Sequence, residues 1–217
     1  MSASPATPAA RSDAKRNRER IVSSARELFA LSGVDVSTRE IAGHARVGVG
    51  TLYRHFPERA DLVDAVLAEA FEELIALAES ALAEADPWHG FSRFVEEALM
   101  LHGSNRGLKD VVETHAHGRA QTEAMRKKLR PLIAQLVERA QQDGSLRADF
   151  TPQDIALVFW ATDRVIELAS SAAPEVWRRH LGFVLDGLRS VNATPLSAPP
   201  LTDTQLRRAG TRRGSSS

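Results

Sequence analysis

Residues 37 to 56 read Ser37-Thr38-Arg39-Glu40-Ile41-Ala42-Gly43-His44-Ala45-Arg46-Val47-Gly48-Val49-Gly50-Thr51-Leu52-Tyr53-Arg54-His55-Phe56. The first four are a capping box: the Ser37 hydroxyl takes the Glu40 amide while the Glu40 carboxylate reaches back to the Ser37 amide, opening a short helix that runs to about Ala45. Gly48 serves as the N-cap of another, Val49 to His55, which Pro57 ends because it has no amide and restricts Phe56 before it. Two short helices joined by three or four residues make a helix-turn-helix when apolar side chains pack them and small residues line their closest approach. Ile41, Ala42, Val47 and Leu52 do the first, and Ala42, Ala45 and Gly48 the second. The second helix of such a unit fits a DNA major groove. Its solvent face carries Val49, Gly50, Tyr53 and Arg54, flanked by Thr51 and His55. An Arg reads guanine edges, a Val or Thr methyl meets the thymine methyl, and a Tyr hydroxyl donates to phosphate. Gly48-Val49-Gly50 is a poor nucleotide loop, since no strand precedes it and a third glycine is missing.

Outward from this block the chain reads as helix after helix, an all-α fold of about nine helices. Ile21, Val22, Ala25, Leu28 and Phe29 form one helical face within Lys15 to Leu31, and Gly33 stands where a left-handed C-terminal cap belongs. A long apolar periodicity from Ala60 to Ala85 predicts a helix leaving the amino-terminal unit, stopped by Asp86-Pro87. Further helices are expected at Phe91 to His102, near Gly107 to His117, and at Thr122 to Gln142, with Pro131 kinking the last. Thr151-Pro152 starts another that runs to about Ser170, and Pro174 opens a final one to about Val191. Met1 to Ala14, rich in Ser, Ala and Pro, and Pro195 to Ser217, with its Pro, Ser, Thr and Arg and few apolar residues, are both expected to be disordered. The division expected is an arm over 1–14, a DNA-binding unit over 15–58, a ligand-binding and dimerisation body over 59–193, and a tail over 194–217.

Charge supports the division. The 217 residues hold 28 Lys and Arg against 28 Asp and Glu. Residues 1–60 carry ten basic groups against six acids, residues 61–200 fourteen against twenty-one, and residues 201–217 four Arg against Asp203. A basic amino-terminal segment on an acidic body suits a chain of which only the first part meets a polyanion. The absence of Cys removes disulfides, thiolate metal sites and cysteine nucleophiles. No membrane-spanning stretch and no apolar secretory segment is visible, so a soluble, cytoplasmic protein is expected. No nucleophile elbow, metal spacing or phosphate loop supports an enzyme.

The string Ser37 to Ala42, followed by Gly48 to Phe56 and Arg59 to Val63, resembles the DNA-binding head of the tetracycline-repressor (TetR) type of bacterial transcriptional regulators. The similarity is specific over about residues 16–64; behind it only the length and the all-helical layout are alike. The resemblance implies a homodimer of nine-helix subunits, each with a three-helix head, a connecting fourth helix and a body holding an effector pocket. Matched position by position, it places Thr38 and Arg39 at phosphate contacts, Thr51 and Tyr53 at groove and backbone contacts, His55 beside phosphate, and Arg59 at the start of the fourth helix. Such turns usually have Gly where Arg46 stands, so Arg46 is either strained or, as expected here, takes an ordinary backbone and adds charge near DNA.

In the body, Phe71, Phe94, His102, His115, Met125, Leu129, Ile133, Phe159, Trp160 and Asp163 are the candidate pocket residues, though any one of them also serves as plain core. His115 and His117 point to opposite sides of a helix, so neither a shared metal nor a cofactor is expected. Stripes of Ile155, Phe159, Thr162 and Ile166, and of Trp177, Leu181, Val184, Leu185 and Leu188, suit a four-helix dimer bundle about a two-fold axis. The partners expected are a duplex operator, a second copy and an unidentified small effector, with no membrane. The resulting expectation is a repressor that a small apolar or amphipathic molecule releases; the alternative is a dimeric DNA-binding protein that senses nothing.

Overall fold

The computed structural model describes residues 8–33, 36–103, 120–169, 171–191 and 193–213. Among these are nine helices and no strand: α1 (Pro8–Ser32), α2 (Thr38–His44), α3 (Val49–His55), α4 (Arg59–Leu82), α5 (Pro87–Gly103), α6 (Ala120–Gln142), α7 (Asp154–Ala169), α8 (Val176–Leu188) and α9 (Asp203–Arg213). Helices α1 to α3 form a head around Ile21, Val22, Phe29, Ile41, Leu52 and Phe56, all buried. Helix α4 leaves the head and packs along α5 and α6, while α7 and α8 pair with each other. The helix expected near Gly107 to His117 lies outside the described residues.

Helix α4 is the axis of the molecule. Its residues Leu62 to Ala68 are buried in succession, on every side of the helix, which is the signature of a helix enclosed by others rather than lying on a surface. Its start is fixed by Asp61, whose carboxylate accepts the Glu58 amide at 3.0 Å. Its last turn is fixed by Arg139 of α6, whose guanidinium donates to Leu82 O at 2.8 Å and Glu84 O at 2.5 Å. A cation there satisfies orphan carbonyls and opposes the negative end of the helix dipole. Helix α5 crosses so close that a Cβ on Gly90 would stand 2.4 Å from Ala81 O.

Both termini correct the expectation from composition. Helix α1 begins at Pro8, not Lys15. Proline suits a first helical position, and the Ala, Arg and Lys residues that follow are strong helix formers. An ion pair of Lys15 with Glu19 and another of Arg16 with Asp13 add support one turn apart. The carboxy-terminal segment contains α9. Thr202 and Gln205 open it as a capping box, with Gln205 Oε1 accepting the Thr202 amide and hydroxyl, both at 2.9 Å, and the Thr202 hydroxyl accepting the Gln205 amide at 3.3 Å. The stretch before α9 is strapped to the body. Arg147 donates to Thr194 O at 2.6 Å, and the Leu196 amide donates to Asp149 at 3.1 Å. Asp149, paired with Arg147 and hydrogen-bonded by Leu196, has its carboxyl held at about 2.

Elsewhere the bounds shift by a few residues. Helix α4 stops at Leu82, α7 starts after Pro152, and α8 spans Val176–Leu188. Helix α6 continues through Pro131 as one element. An isolated antiparallel bridge of Leu146 with Arg189 ties the α6–α7 loop to the end of α8.

Candidate nucleic-acid interface and body cavity

The turn between α2 and α3 is a Schellman motif. The Val47 amide donates to Ala42 O at 3.0 Å and the Arg46 amide to Gly43 O at 3.1 Å, which places the residue between them in the left-handed region. That residue is Arg46, with φ of 53°. The expectation of an ordinary backbone is therefore corrected: Arg46 takes the conformation that glycine adopts without cost. Its position is fixed from α1, where Arg20 donates to Ala45 O at 2.6 Å and to Arg46 O at 3.3 Å. The Ser37 capping box is formed as expected, the Glu40 amide reaching the Ser37 hydroxyl at 3.2 Å and the Ser37 amide reaching the Glu40 carboxylate at 3.0 Å. Hydrogen bonds from the Ser37 hydroxyl and amide hold the Glu40 carboxyl below its ordinary range.

One exposed face follows from this geometry. Arg39, Arg46, Gly48, Val49, Gly50, Tyr53 and Arg54 are exposed, and Thr38, Thr51, His55 and Arg59 are half-buried at its border. The Thr38 and Tyr53 hydroxyls lie 3.3 Å apart, so the starts of α2 and the middle of α3 present two adjacent hydroxyl groups. Arg54 donates from Nε to Gly50 O at 3.3 Å. The Arg59 guanidinium sits over the Phe29 ring at 6.0 Å, which makes it part of the head's packing as well as of its charge. Gly50 is the informative residue. Nothing lies within 4 Å of where its Cβ would stand, so the fold has no need of glycine in that helix, where it costs about 0.5–1 kcal/mol relative to Ala. A bare backbone on an exposed helix suits close approach by a partner.

The body contains a cavity of about 380 Å³, inside the range of about 300–1,000 Å³ common for small-molecule sites. Six of the expected residues line it: Phe71, Phe94, Leu129, Ile133, Phe159 and Trp160. Met125 packs against the core outside the lining, and Asp163 is buried within the body at 2% exposure. The His102 side chain and the whole of His115 lie outside the described residues. The sequence reading missed the polar part of the lining: Arg126, Arg130, Gln153 and Asp203, with Leu206 beside them. Arg126 stands over the Phe71 ring at 5.7 Å. Burial pushes its pKa down, with Glu123 opposing and Arg130 adding to the shift. Asp203 accepts from Gln153 Nε2 at 3.0 Å and pairs with Arg130 at 3.8 Å. The Thr202 and Gln205 capping box was the available signal that this segment is ordered enough to form a wall.

The expected pairing stripes divide in two. Ile155, Thr162, Trp177 and Leu181 are buried inside one subunit, and Phe159, Ile166, Val184, Leu185 and Leu188 are packed partly against its core. The apolar groups that α7 and α8 leave exposed are Leu157, Leu168 and Phe183. Among the described residues no helix is long and apolar enough to cross a membrane, and no group of His, Asp or Glu could hold a metal ion.

Residues 21–66 match the family model of bacterial regulatory proteins of the tetR family, and residues 86–190 match that of the SbtR-like transcriptional regulator C-terminal domain. An HTH-type transcriptional regulator of Staphylococcus aureus is 49% identical over 53 residues, 24% of this chain. The chain thus spans only 29% of the length of that curated relative. A TetR transcription regulatory protein from Mycobacterium vanbaalenii is 28% identical with a TM-score of 0.60, over 82% of this chain and 98% of the other. A TetR transcriptional regulator from Streptomyces coelicolor is 26% identical with a TM-score of 0.59, over 79% and 98%.

Proposed function

Because the chain belongs to the TetR family of bacterial transcriptional regulators, we propose that it is a repressor that binds a pseudo-palindromic duplex operator as a homodimer and is released by a small apolar or amphipathic effector. In this reading α3 enters the major groove, with Val49, Gly50 and Arg54 toward base edges. Thr38, Arg39, Tyr53, His55, Arg46 and Arg59 meet the backbone. Two copies pair through α7 and α8, spacing the heads by about 34–36 Å or a multiple of it. The protein acts in the cytoplasm, where its operator is.

The observation that carries the reading is that one helix touches both sites. Helix α4 begins at Arg59 against Phe29 of the head and supplies Phe71 and Leu74 to the cavity wall. At about 1.5 Å per residue, cavity and head are about 20 Å apart along a single rigid element. A ligand that prefers one tilt of α4 shifts the separation of the two heads, and a coupling of about 1–3 kcal/mol changes DNA affinity about 5- to 150-fold. The cavity favours this over a dimer that senses nothing, which has no use for it.

The test is footprinting on the DNA flanking its own gene, followed by fluorescence anisotropy with the protected duplex while a ligand library is titrated. The expected result is a protected two-fold symmetric site whose occupancy falls with a cavity ligand. Cavity ligands that leave operator affinity unchanged would defeat the effector part. A monomer indifferent to every duplex would defeat the whole.

A further inference from the structure

The lining of the cavity is unequal in charge. Aromatic and aliphatic groups make up most of it, and its charged groups among the described residues are two guanidiniums, Arg126 and Arg130, and one carboxylate, Asp203. The two Arg stand one turn apart on the same face of α6, where like charges repel. Asp203 is the first residue of α9, whose Leu206 also lines the cavity, and the stretch before α9 is anchored by the Arg147–Asp149 pair at Thr194 and Leu196. The distance from Asp203 to Arg130, 3.8 Å, is an ion pair beyond hydrogen-bond reach, and Gln153 gives Asp203 a second anchor at 3.0 Å. A planar carboxylate set between the two guanidinium forks makes charge-assisted bonds shorter than the 3.8 Å of the Asp203–Arg130 pair.

We propose that the cavity is a site for an amphipathic organic acid, with its ring or chain among Phe71, Phe94, Phe159 and Trp160 and its carboxylate between Arg126 and Arg130, in exchange for Asp203. This rests on the reading of the cavity as the effector site and narrows it to a chemical class. Arg126 is the anchor, since the Phe71 ring beneath it fixes where its charge stands. Asp203 is the gate: it neutralises Arg130 from the start of α9, and a ligand acid relieves it of that role while Gln153 keeps it attached. Uncharged molecules of the same shape gain the apolar contacts alone.

The experiment is calorimetric titration of the full chain with naphthylacetate and with naphthylacetamide, which share a shape and differ in charge. The acid is expected to bind about tenfold tighter or better, the worth of a charge-assisted pair. Arg126→Gln is expected to abolish that preference, and Asp203→Asn, at the start of α9, to tighten the acid several-fold. Should Arg126→Gln fail to fold by circular dichroism, Arg126→Lys, which keeps the charge and loses the fork, and Asp203→Asn carry the test. Equal affinity for acid and amide overturns the acid site and leaves the effector reading standing. Preferential binding of the acid without any change in operator affinity supports the acid site and removes the effector reading. Binding of neither compound overturns the proposal.

Discussion

Arg26 on α1 and Glu73 on α4 form a two-pronged ion pair across the junction of head and body, with Nη2 donating to Oε2 at 2.8 Å and Nη1 to Oε1, between residues 47 apart in sequence. Glu69, one turn earlier on α4, sits close enough to feel the Arg26 charge, and burial raises its pKa. The pair is therefore a direct mechanical link between the groove-reading unit and the helix that reaches the cavity. Both side chains are more than a third exposed or close to it, at 33% and 41%, so solvent screens the link. A double-mutant cycle with Arg26→Ala and Glu73→Ala is expected to give a coupling of about 0.5–1 kcal/mol in denaturant unfolding. A coupling indistinguishable from zero would show that head and lever are joined by apolar packing alone.

Gly50→Ala separates stability from recognition. No neighbour meets the new methyl, so the variant is expected to be more stable by about 0.5–1 kcal/mol. Its operator affinity should fall, because the proposed reading puts a Cβ there against the DNA. Thermal melting and anisotropy on the same preparation check both signs, and unchanged operator affinity would place α3 farther from the groove than argued.

Arg54 and Arg59 are expected to differ in kind. Arg54→Ala should alter sequence preference, at a cost of about 1–3 kcal/mol for the preferred site, whereas Arg59→Ala should weaken all duplexes and lower the salt slope by about one. Arg59→Ala also removes a guanidinium from the Phe29 ring, so a lower melting temperature should accompany it. Equal losses on specific and random duplexes for both variants would mean that the roles are misassigned.

Arg46→Gly tests the turn. Relief of the left-handed conformation at φ 53° is offset by the entropy glycine adds to the unfolded chain, leaving an expected gain of about 0.5–1 kcal/mol. If the Arg46 charge also meets phosphate, the salt dependence of DNA binding weakens by about one ion. Binding isotherms at several salt concentrations read this directly.

The strap should respond to acid in a defined window. The Asp149 pKa is depressed from 3.8 to about 2 in the folded chain by Arg147 and the Leu196 amide. Its contribution is thus fully present above about 3.8 and is lost as pH falls through about 2. Hydrogen exchange at the Leu196 amide should stay protected down to about pH 4 and lose protection below it, whereas Asp149→Asn should lose protection at neutral pH. Protection unaffected by the variant would detach the strap from Asp149.

The head was legible because its signals are local. The Ser37–Glu40 box, the Gly33 cap and the Pro57 stop each act within four residues, and each is formed. Arg46 defied prediction because nothing in its own side chain marks the left-handed conformation, which two Schellman bonds within the turn and the Arg20 guanidinium from α1 hold. The apolar half of the cavity was readable as helical periodicity. Its polar half was not, since Arg126 and Arg130 look like ordinary surface residues on an amphipathic helix until α9 brings Asp203 against Arg130. Composition misled at both ends, where Pro8 and Thr202 start helices that Ser, Pro and Thr content had hidden. The stripes on α7 and α8 showed which residues are apolar but not that Ile155, Thr162, Trp177 and Leu181 are buried within the chain.

The enclosure of α4 from Leu62 to Ala68 has a consequence for how this chain diversifies. A helix walled in on all sides tolerates little change, yet it gives the cavity only Phe71 and Leu74, while the charged groups come from α6 and the start of α9. On the effector reading proposed above, chemical taste can therefore drift by substitutions on peripheral pieces while α4 stays as it is, so descendants that answer to new molecules need not relearn how to answer.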